Sequence, residues 1–460
     1  MVLALPLLPT FVATCTLFGR VTADPVDKYL RSQMSLNHIP GLAVAVVRDG
    51  RLVKLTSFGA ADLEWGNKVT PDTRFQLASS TKPLTGTALM RLVQAGKIGL
   101  DDPISKYLPN APEAWRKITI RHLATHSSGI PEGPAPSYQS VDAVVDAVAK
   151  LPLEHVPGAD SGYGSADFVV LSAILQKVTG LPFDRFLSQT LLAPLKMSET
   201  GFNGMSEMGP IRSSEVVPNQ AGIYLWNGER QQVRSFLFSA PAYSAGGIYS
   251  SVRDLARFAA ALDRGALLKP EVLSTMWTPH RLNDGKQTTW GIGWVVRSYE
   301  GRRTVGHSGG PALSDFLRFP DDRLTVIVLQ NQQKMYPYLA RGVADFYLSQ
   351  RSGLAVQPVP DSKLEVTNRL TKMLNSFSAG EFDSAAFSPD QKDLMEDVRN
   401  LLVPFCVSLG APTSITLIGE APDGKVLERT YAAFYGKKRV EWIFDLDANG
   451  KIVGIDPQTP

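Results

Sequence analysis

The chain has 460 residues, more than one ordinary hydrophobic core supports, so two domains are expected. Hydrophobic residues make up 44%, charged residues 20% and the formal net charge is +3, the balance of a soluble globular protein. No run of Lys or Arg could track a line of phosphates, which excludes the nucleic-acid-binding classes.

The first residues, Met1 to Ala13, are apolar, and Val21-Thr22-Ala23 supplies small residues where a signal peptidase reads. Residues 1–23 are expected to be a signal peptide, leaving Asp24 as the mature start and the protein secreted or periplasmic. No Lys or Arg precedes the apolar run, so a buried N-terminal strand is the alternative. Thr14 is a poor residue before a lipidated Cys15. No later apolar run is long enough to span a bilayer. Once Cys15 is removed, Cys406 stands alone, without a disulfide partner or a neighbouring His, and reads as a core residue.

In chain order, Leu42–Val47, the Asp49-Gly50 turn and Arg51–Leu55 read as a hairpin. Ser80 to Gly96 reads as a helix, with Leu84, Ala88, Leu89, Leu92 and Val93 on one face and Gly96 as its stop. A second helix starts at the capping-box pattern Ser251-Val-Arg-Asp254, with Leu255, Phe258, Ala259 and Leu262 at helical spacing. Strands are expected over Trp290–Val296, Thr304–Ser308, Asp315–Phe319 and Leu324–Leu329, then a closing helix over Tyr338–Gln350. Residues 24–350 thus form an α+β domain, an antiparallel sheet flanked by helices with a helical lobe inserted. Residues 351–362, with Gly353, Pro358 and Pro360, read as a linker. Residues 363–460 read as a small α+β domain. Helices near 363–379 and 389–408 are cupped by three or four strands, one of which places Val440, Trp442, Phe444 and Leu446 on a single face.

The chemistry centres on Ser79-Ser80-Thr81-Lys82. Residues three apart at a helix start share a face, so Lys82 rises beside Ser79. The helix N-terminus offers N–H groups and positive potential to a developing oxyanion. A serine hydroxyl needs a group to remove its proton. Pro83 disfavours helical geometry at Lys82, although proline is tolerated in a first turn. Alone, this pattern also fits a capping serine beside a solvated lysine.

Four segments occur together: Ile39-Pro-Gly-Leu-Ala-Val-Ala-Val46, Phe75-Gln-Leu-Ala-Ser-Ser-Thr-Lys82, Ile120-Arg-His-Leu-Ala-Thr-His-Ser-Ser-Gly129 and Gly246-Gly247-Ile-Tyr-Ser. With them, residues 26–345 resemble the serine β-lactamase and penicillin-binding superfamily, closest to its class C β-lactamase, D,D-carboxypeptidase and esterase branch. The resemblance implies a β-lactamase/transpeptidase-like fold with Ser79 as nucleophile and Lys82 as its helper. It makes Tyr163-Gly164-Ser165 the Tyr-x-Asn element, with Tyr163 as proton shuttle, and His307-Ser308-Gly309 the Lys-Thr-Gly element. Ser165 departs from the commoner Asn, and His307 from the Lys of efficient β-lactamases. By the same resemblance Ser165, His307, Ser308 and Gly309 contact substrate, and the backbone N–H groups of Ser79 and Gly310 form the oxyanion hole.

Gly306-His-Ser-Gly-Gly310 also satisfies the nucleophile-elbow pattern, but that elbow needs a strand before it and a helix after it, and Ser314–Phe319 alternates as a strand. His122 and His126 stand four apart without the glutamate or third ligand of a metal site, so they read as structural histidines near a helix end. Asp101-Asp102-Pro103 reads as a loop and helix-start signal. No cofactor is expected. The expected activity is hydrolysis of small esters, D-amino-acid peptides or β-lactams through an acyl-enzyme on Ser79. The alternative is a penicillin- or peptide-binding protein without turnover. The partner is a small-molecule or peptide substrate, and the role of the tail and the oligomeric state are not legible.

Overall fold

The computed structural model describes residues 24–132, 140–208, 211–235, 238–310, 314–333, 338–348, 358–423, 426–436 and 438–458. The expected leader and residues 351–357 of the expected linker lie outside these.

The hairpin forms as β1 (Gly41–Arg48) and β2 (Arg51–Gly59). With β3 (Val295–Tyr299), β4 (Arg302–Gly309), β5 (Ser314–Phe319) and β6 (Leu324–Gln330) they make a six-stranded antiparallel sheet, ordered β3-β4-β5-β6-β1-β2. The strand period of two divides β1 between two cores. Ala43, Ala45 and Val47 join the larger cluster under the helical lobe. Leu42, Val44 and Val46 join a second cluster on the opposite face, under the helices Pro25–Leu36 and Leu339–Ala344. Fully burying one such aliphatic side chain contributes about 1.5–3 kcal/mol, which fixes the register of the central strands.

Three expected elements differ in extent. The helix expected from Ser80 begins at Lys82 as α1 (Lys82–Gln94), preceded by a 3₁₀ turn over Ala78–Thr81. Pro83 falls in its first turn and Lys82 keeps helical angles. The strand expected from Trp290 starts only at Val295. The backbone here is spent on close tertiary contacts instead: a Cβ on Gly293 would lie 2.6 Å from Lys82 O in α1, one on Gly86 would overlap Ile292 O, and one on Gly291 would lie 2.5 Å from Met276 O. The closing helix is Leu339–Ala344, shorter than expected, followed by turns to Leu348.

Between the sheet strands, α2 (Ala166–Thr179) is the buried spine of the helical lobe. The Ser251 helix forms as α3 (Val252–Asp263), but only half of the expected capping box is made. Ser251 Oγ accepts from Asp254 N, whereas the Asp254 carboxylate turns to Glu199 N, Thr200 and Arg257.

In the tail, α4 (Leu364–Ser378) and α5 (Val403–Leu409) pack against a four-stranded meander. Its strands are β7 (Ser414–Asp423), β8 (Val426–Tyr435), β9 (Lys438–Leu446) and β10 (Ile452–Gln458). Val440, Trp442, Phe444 and Leu446 all lie in a separate core, with Cys406 among them, its thiol pushed up to about 12 by burial. Residues 358–362 are docked onto this unit, not free as a linker would be. Val359 N donates to Leu417 O at 3.1 Å, and Asp361 pairs with the buried Arg429 at 2.5 Å. Among the described residues no single helix is long and apolar enough to cross a membrane.

Candidate active site

Ser79 sits half-buried in the 3₁₀ turn that feeds α1. The residue before it, Ala78, holds φ at +45°, a left-handed conformation costly for a residue with a Cβ. Side-chain bonds hold the turn in this shape. Ser80 Oγ donates to His307 O at 2.8 Å, and Ser314 Oγ donates to Leu77 O at 2.5 Å and lies 2.9 Å from Ser80 Oγ. The serine turn is thereby stitched to the ends of β4 and β5.

Lys82 is buried directly behind Ser79. Its Nζ donates to Tyr163 Oη at 2.8 Å and to Ala245 O at 3.0 Å, and lies 3.5 Å from Ser79 Oγ. Tyr163 Oη and Ser79 Oγ are 2.5 Å apart. The three side chains expected to carry the chemistry therefore converge, although Tyr163 is 84 residues from Ser79 in the chain. The Lys82 ammonium also lies over the Tyr163 and Phe168 rings.

The Tyr163 loop is positioned by the segment after Ile120–Ala124. Gly158 N donates to Ser127 O, Gly162 N to His126 O and Glu154 N to Gly129 O, at 2.8–3.0 Å. The His126 ring packs 4.8 Å from that of Tyr163 and reaches Asp167, whose other oxygen accepts from Ser128 Oγ. Burial is the main cause holding His126 well below the usual imidazole range and Asp167 well above the usual carboxylate range, so both uncharged forms are favoured. His122 instead completes the cap of its own helix, with Nδ1 accepting from Thr119 N at 3.2 Å. Both histidines thus have structural work. Asp102 accepts from Gly99 N, Lys106 and Tyr107, which lower its carboxyl to about 2.

Ser165 ends the Tyr163 loop at the N-terminus of α2, where its amide and that of Ala166 donate to the Glu132 carboxylate. Asp167, Glu132 and Trp290, whose ring stacks on Tyr163 at 5.2 Å, escaped the sequence reading. An acid two residues into α2 was the only available signal for Asp167. Nothing local marks Trp290 or Glu132.

On β4, successive side chains face opposite sides. His307 faces the Tyr163 and Trp290 rings. Burial pushes its imidazole down to about 3, helped by the Lys82 charge, so it is neutral at ordinary pH. Nδ1 lies 2.7 Å from Ser308 O, a carbonyl that can only accept, so Nδ1 carries the proton. Nε2 is then a bare acceptor, buried and without a partner among the described residues. Ser308 Oγ turns to Asp315 at 3.0 Å. Ser308 lies within β4 and the chain returns as β5, strand to strand, which removes the context of a nucleophile elbow.

Gly309 touches the serine turn. A Cβ there would overlap Leu77 O and lie 2.6 Å from Ser314 Oγ and 3.0 Å from Ser79 N. Gly310 follows directly. Gly309→Ala is expected to push the turn away from β4 and lower turnover about 10²-fold or more, the scale of an ångström misplacement. Steady-state kinetics beside a circular dichroism spectrum checks it, and wild-type rates would show that the contact does not position Ser79.

This geometry can be set beside known proteins. The chain is 27% identical over 313 residues to Penicillin-binding protein 4* of Bacillus subtilis (strain 168), covering 64% of this chain and 69% of that protein. It is 28% identical over 298 residues to the Putative penicillin-binding protein PbpX of the same strain, covering 63% and 71%. Among solved structures it resembles the octameric penicillin-binding protein homologue from Pyrococcus abyssi, with TM-score 0.60 and 20% identity over 95% of this chain and 98% of that one. It also resembles EstCE1, a hydrolase with promiscuous acyltransferase activity, with TM-score 0.59 and 22% identity over 69% of this chain and 97% of that one. The Beta-lactamase family model matches residues 26–345, the span that carries the sheet, the serine turn and the Tyr163 loop, so the chain belongs to that family of penicillin-binding-protein-like serine hydrolases.

Proposed function

We propose that the protein is a serine hydrolase that forms an acyl-enzyme on Ser79 and prefers small esters. The observation that carries this reading is the contact of Tyr163 Oη with both Ser79 Oγ, at 2.5 Å, and Lys82 Nζ, at 2.8 Å. Tyr163 acts as the phenolate, its negative charge offset by the Lys82 ammonium that donates to Oη, and takes the Ser79 proton as Oγ attacks the acyl carbon. The Ser79 and Gly310 amides receive the oxyanion. The tetrahedral adduct expels the leaving alcohol, which takes the proton from Tyr163. Water then attacks the ester carbon of the acyl-enzyme, again giving its proton to Tyr163, and Ser79 is regenerated. Export of the chain is part of the proposal and rests on the apolar run and Ala23 site of residues 1–23.

The substrate preference follows from two positions. His307 offers a neutral imidazole where a cation would grip a carboxylate, and Ser165 offers a hydroxyl with no amide. Losing one charge-assisted hydrogen bond costs about 1.5–3 kcal/mol, roughly tenfold or more in rate when it is felt in the transition state. Esters need less help with their leaving group than amides. Short-chain nitrophenyl esters are therefore expected to be hydrolysed and a chromogenic cephalosporin to be turned over poorly. A cephalosporin kcat/KM above that of the best ester would overturn this order. Stable acylation by a fluorescent penicillin with no turnover of any ester would make the protein a binding module.

A further inference from the structure

His126 stands behind Tyr163 with two of its acceptors turned to the tyrosine loop. Its φ is +53°, in the left-handed region that histidine enters more readily than most residues with a Cβ. From that conformation its carbonyl accepts from Gly162 N at 3.0 Å, and its ring atom Nδ1 accepts from Gly164 N at 3.5 Å. One residue thus binds the amides on both sides of Tyr163. The imidazole also packs against the Tyr163 and Trp290 rings, each 4.8 Å away.

Those contacts dictate where the protons sit. Nδ1 can accept from Gly164 only while it carries no proton. Asp167 Oδ2, in the first turn of α2, lies 3.3 Å from the same Nδ1. A bare nitrogen facing a carboxylate oxygen would set two lone pairs against each other, so the proton between them belongs to Asp167. Asp167 Oδ1 accepts from Ser128 Oγ at 2.5 Å, and Ser128 Oγ in turn accepts from Ile130 N at 2.9 Å. Both His126 and Asp167 are buried, and burial favours the uncharged form of each. Of the groups around them, Lys82 opposes a second cation on His126, and Glu132 and Glu154 oppose a carboxylate on Asp167. His307 is itself neutral, and Tyr163 turns its oxygen away to Lys82. The Ser128 hydrogen bond and Lys82 pull Asp167 the other way and are outweighed by burial.

We propose that His126 is the positioning residue of Tyr163: it clamps the amides of Gly162 and Gly164 as a neutral imidazole, its Nδ1 kept bare by the proton that Asp167 holds. The clamp fixes Tyr163 Oη between Ser79 Oγ and Lys82 Nζ, contacts that an ångström of loop movement would break. Its consequence for turnover rests on the serine hydrolase reading, whereas the hydrogen-bond arrangement does not.

Two measurements on the full chain test this. The first reads the proton. The chain has six histidines, so nitrogen NMR of protein labelled at histidine is tractable, and the His126 signals are those lost in His126→Asn. They are expected to show a bare Nδ1 and a protonated Nε2, unchanged between about pH 5 and 8, where an ordinary imidazole titrates. A proton on Nδ1, or titration in that window, overturns the proposal. The second measurement is kinetic, on 4-nitrophenyl butyrate, with kcat counted per Ser79 labelled by fluorophosphonate so that misfolded molecules do not contribute. His126→Ala is expected to lower kcat about 10²-fold and to move KM less than about threefold. His126→Asn puts an amide oxygen where Nδ1 stands and suits a left-handed backbone, so it is expected to recover about tenfold of that loss. Wild-type kcat in His126→Ala, or an Asn variant no faster than the Ala one, overturns the positioning role. If His126→Ala does not fold, the NMR signals decide alone. The expected signals in a wild type that hydrolyses no ester uphold the clamp and sink the hydrolase reading instead.

Discussion

Replacing Ser79 by Ala is expected to abolish covalent labelling by a fluorophosphonate probe and to lower ester turnover about 10³-fold or more, because Ser79 Oγ has Tyr163 Oη as proton acceptor and the N-terminus of α1 beside it. Replacing Ser308 by Ala is expected to leave a labelled band. The two serines compete on sequence grounds, since each sits in a nucleophile pattern, but their surroundings differ. Ser79 Oγ meets Tyr163 Oη at 2.5 Å in front of a buried lysine. Ser308 Oγ meets the Asp315 carboxylate inside a two-stranded ladder, and its imidazole neighbour His307 points to the other face of the sheet. Ser79→Ala removes a single half-buried oxygen, so the fold should be unaffected, as a thermal melt would show. Labelling retained by Ser79→Ala and lost by Ser308→Ala would reverse the assignment.

How much of this was legible in the chain depends on the range of the interaction. The β1–β2 hairpin, α3 and the inward face of β9 follow from local periodicity, and the structure keeps them. The strand expected from Trp290 fails because its glycines serve backbone-to-backbone contacts, Gly293 with α1 and Gly291 with Met276, a tertiary demand that no local pattern carries. The catalytic candidates were reached through motifs whose members lie far apart. The parts that support them were not. Trp290 stacks on Tyr163 from a segment 127 residues away by position, and Glu132 holds the amides of Ser165 and Ala166 from outside any motif. The left-handed Ala78 is invisible for a different reason. Nothing about alanine announces a positive φ, and the turn that holds it is tied to β4 and β5 by the Ser80 and Ser314 hydroxyls, which lie far from it in the chain or act across it.

The strongest test of the proposed chemistry is whether Lys82 and Tyr163 act as one unit. Tyr163→Phe removes the oxygen that touches both Ser79 and Lys82, and Lys82→Met removes the ammonium while keeping much of the side-chain bulk. Each is expected to lower ester kcat/KM by about 10²–10⁴-fold, the range of a lost general acid–base group. If the lysine works through the phenol, the double variant should fall no more than about tenfold below the worse single one, because removing the second member of a broken relay removes little more. Lys82→Met also leaves Ala245 O, buried beside the lysine, without its donor, which costs about 1–3 kcal/mol of stability. A melting curve and a circular dichroism spectrum separate that loss from the kinetic one, and Tyr163→Phe, whose ring keeps its stack on Trp290, is free of it. Factors that multiply in full in the double variant would show two independent roles. A Lys82→Met variant with wild-type kinetics would leave Tyr163 to activate Ser79 unaided, and the buried lysine would be structural.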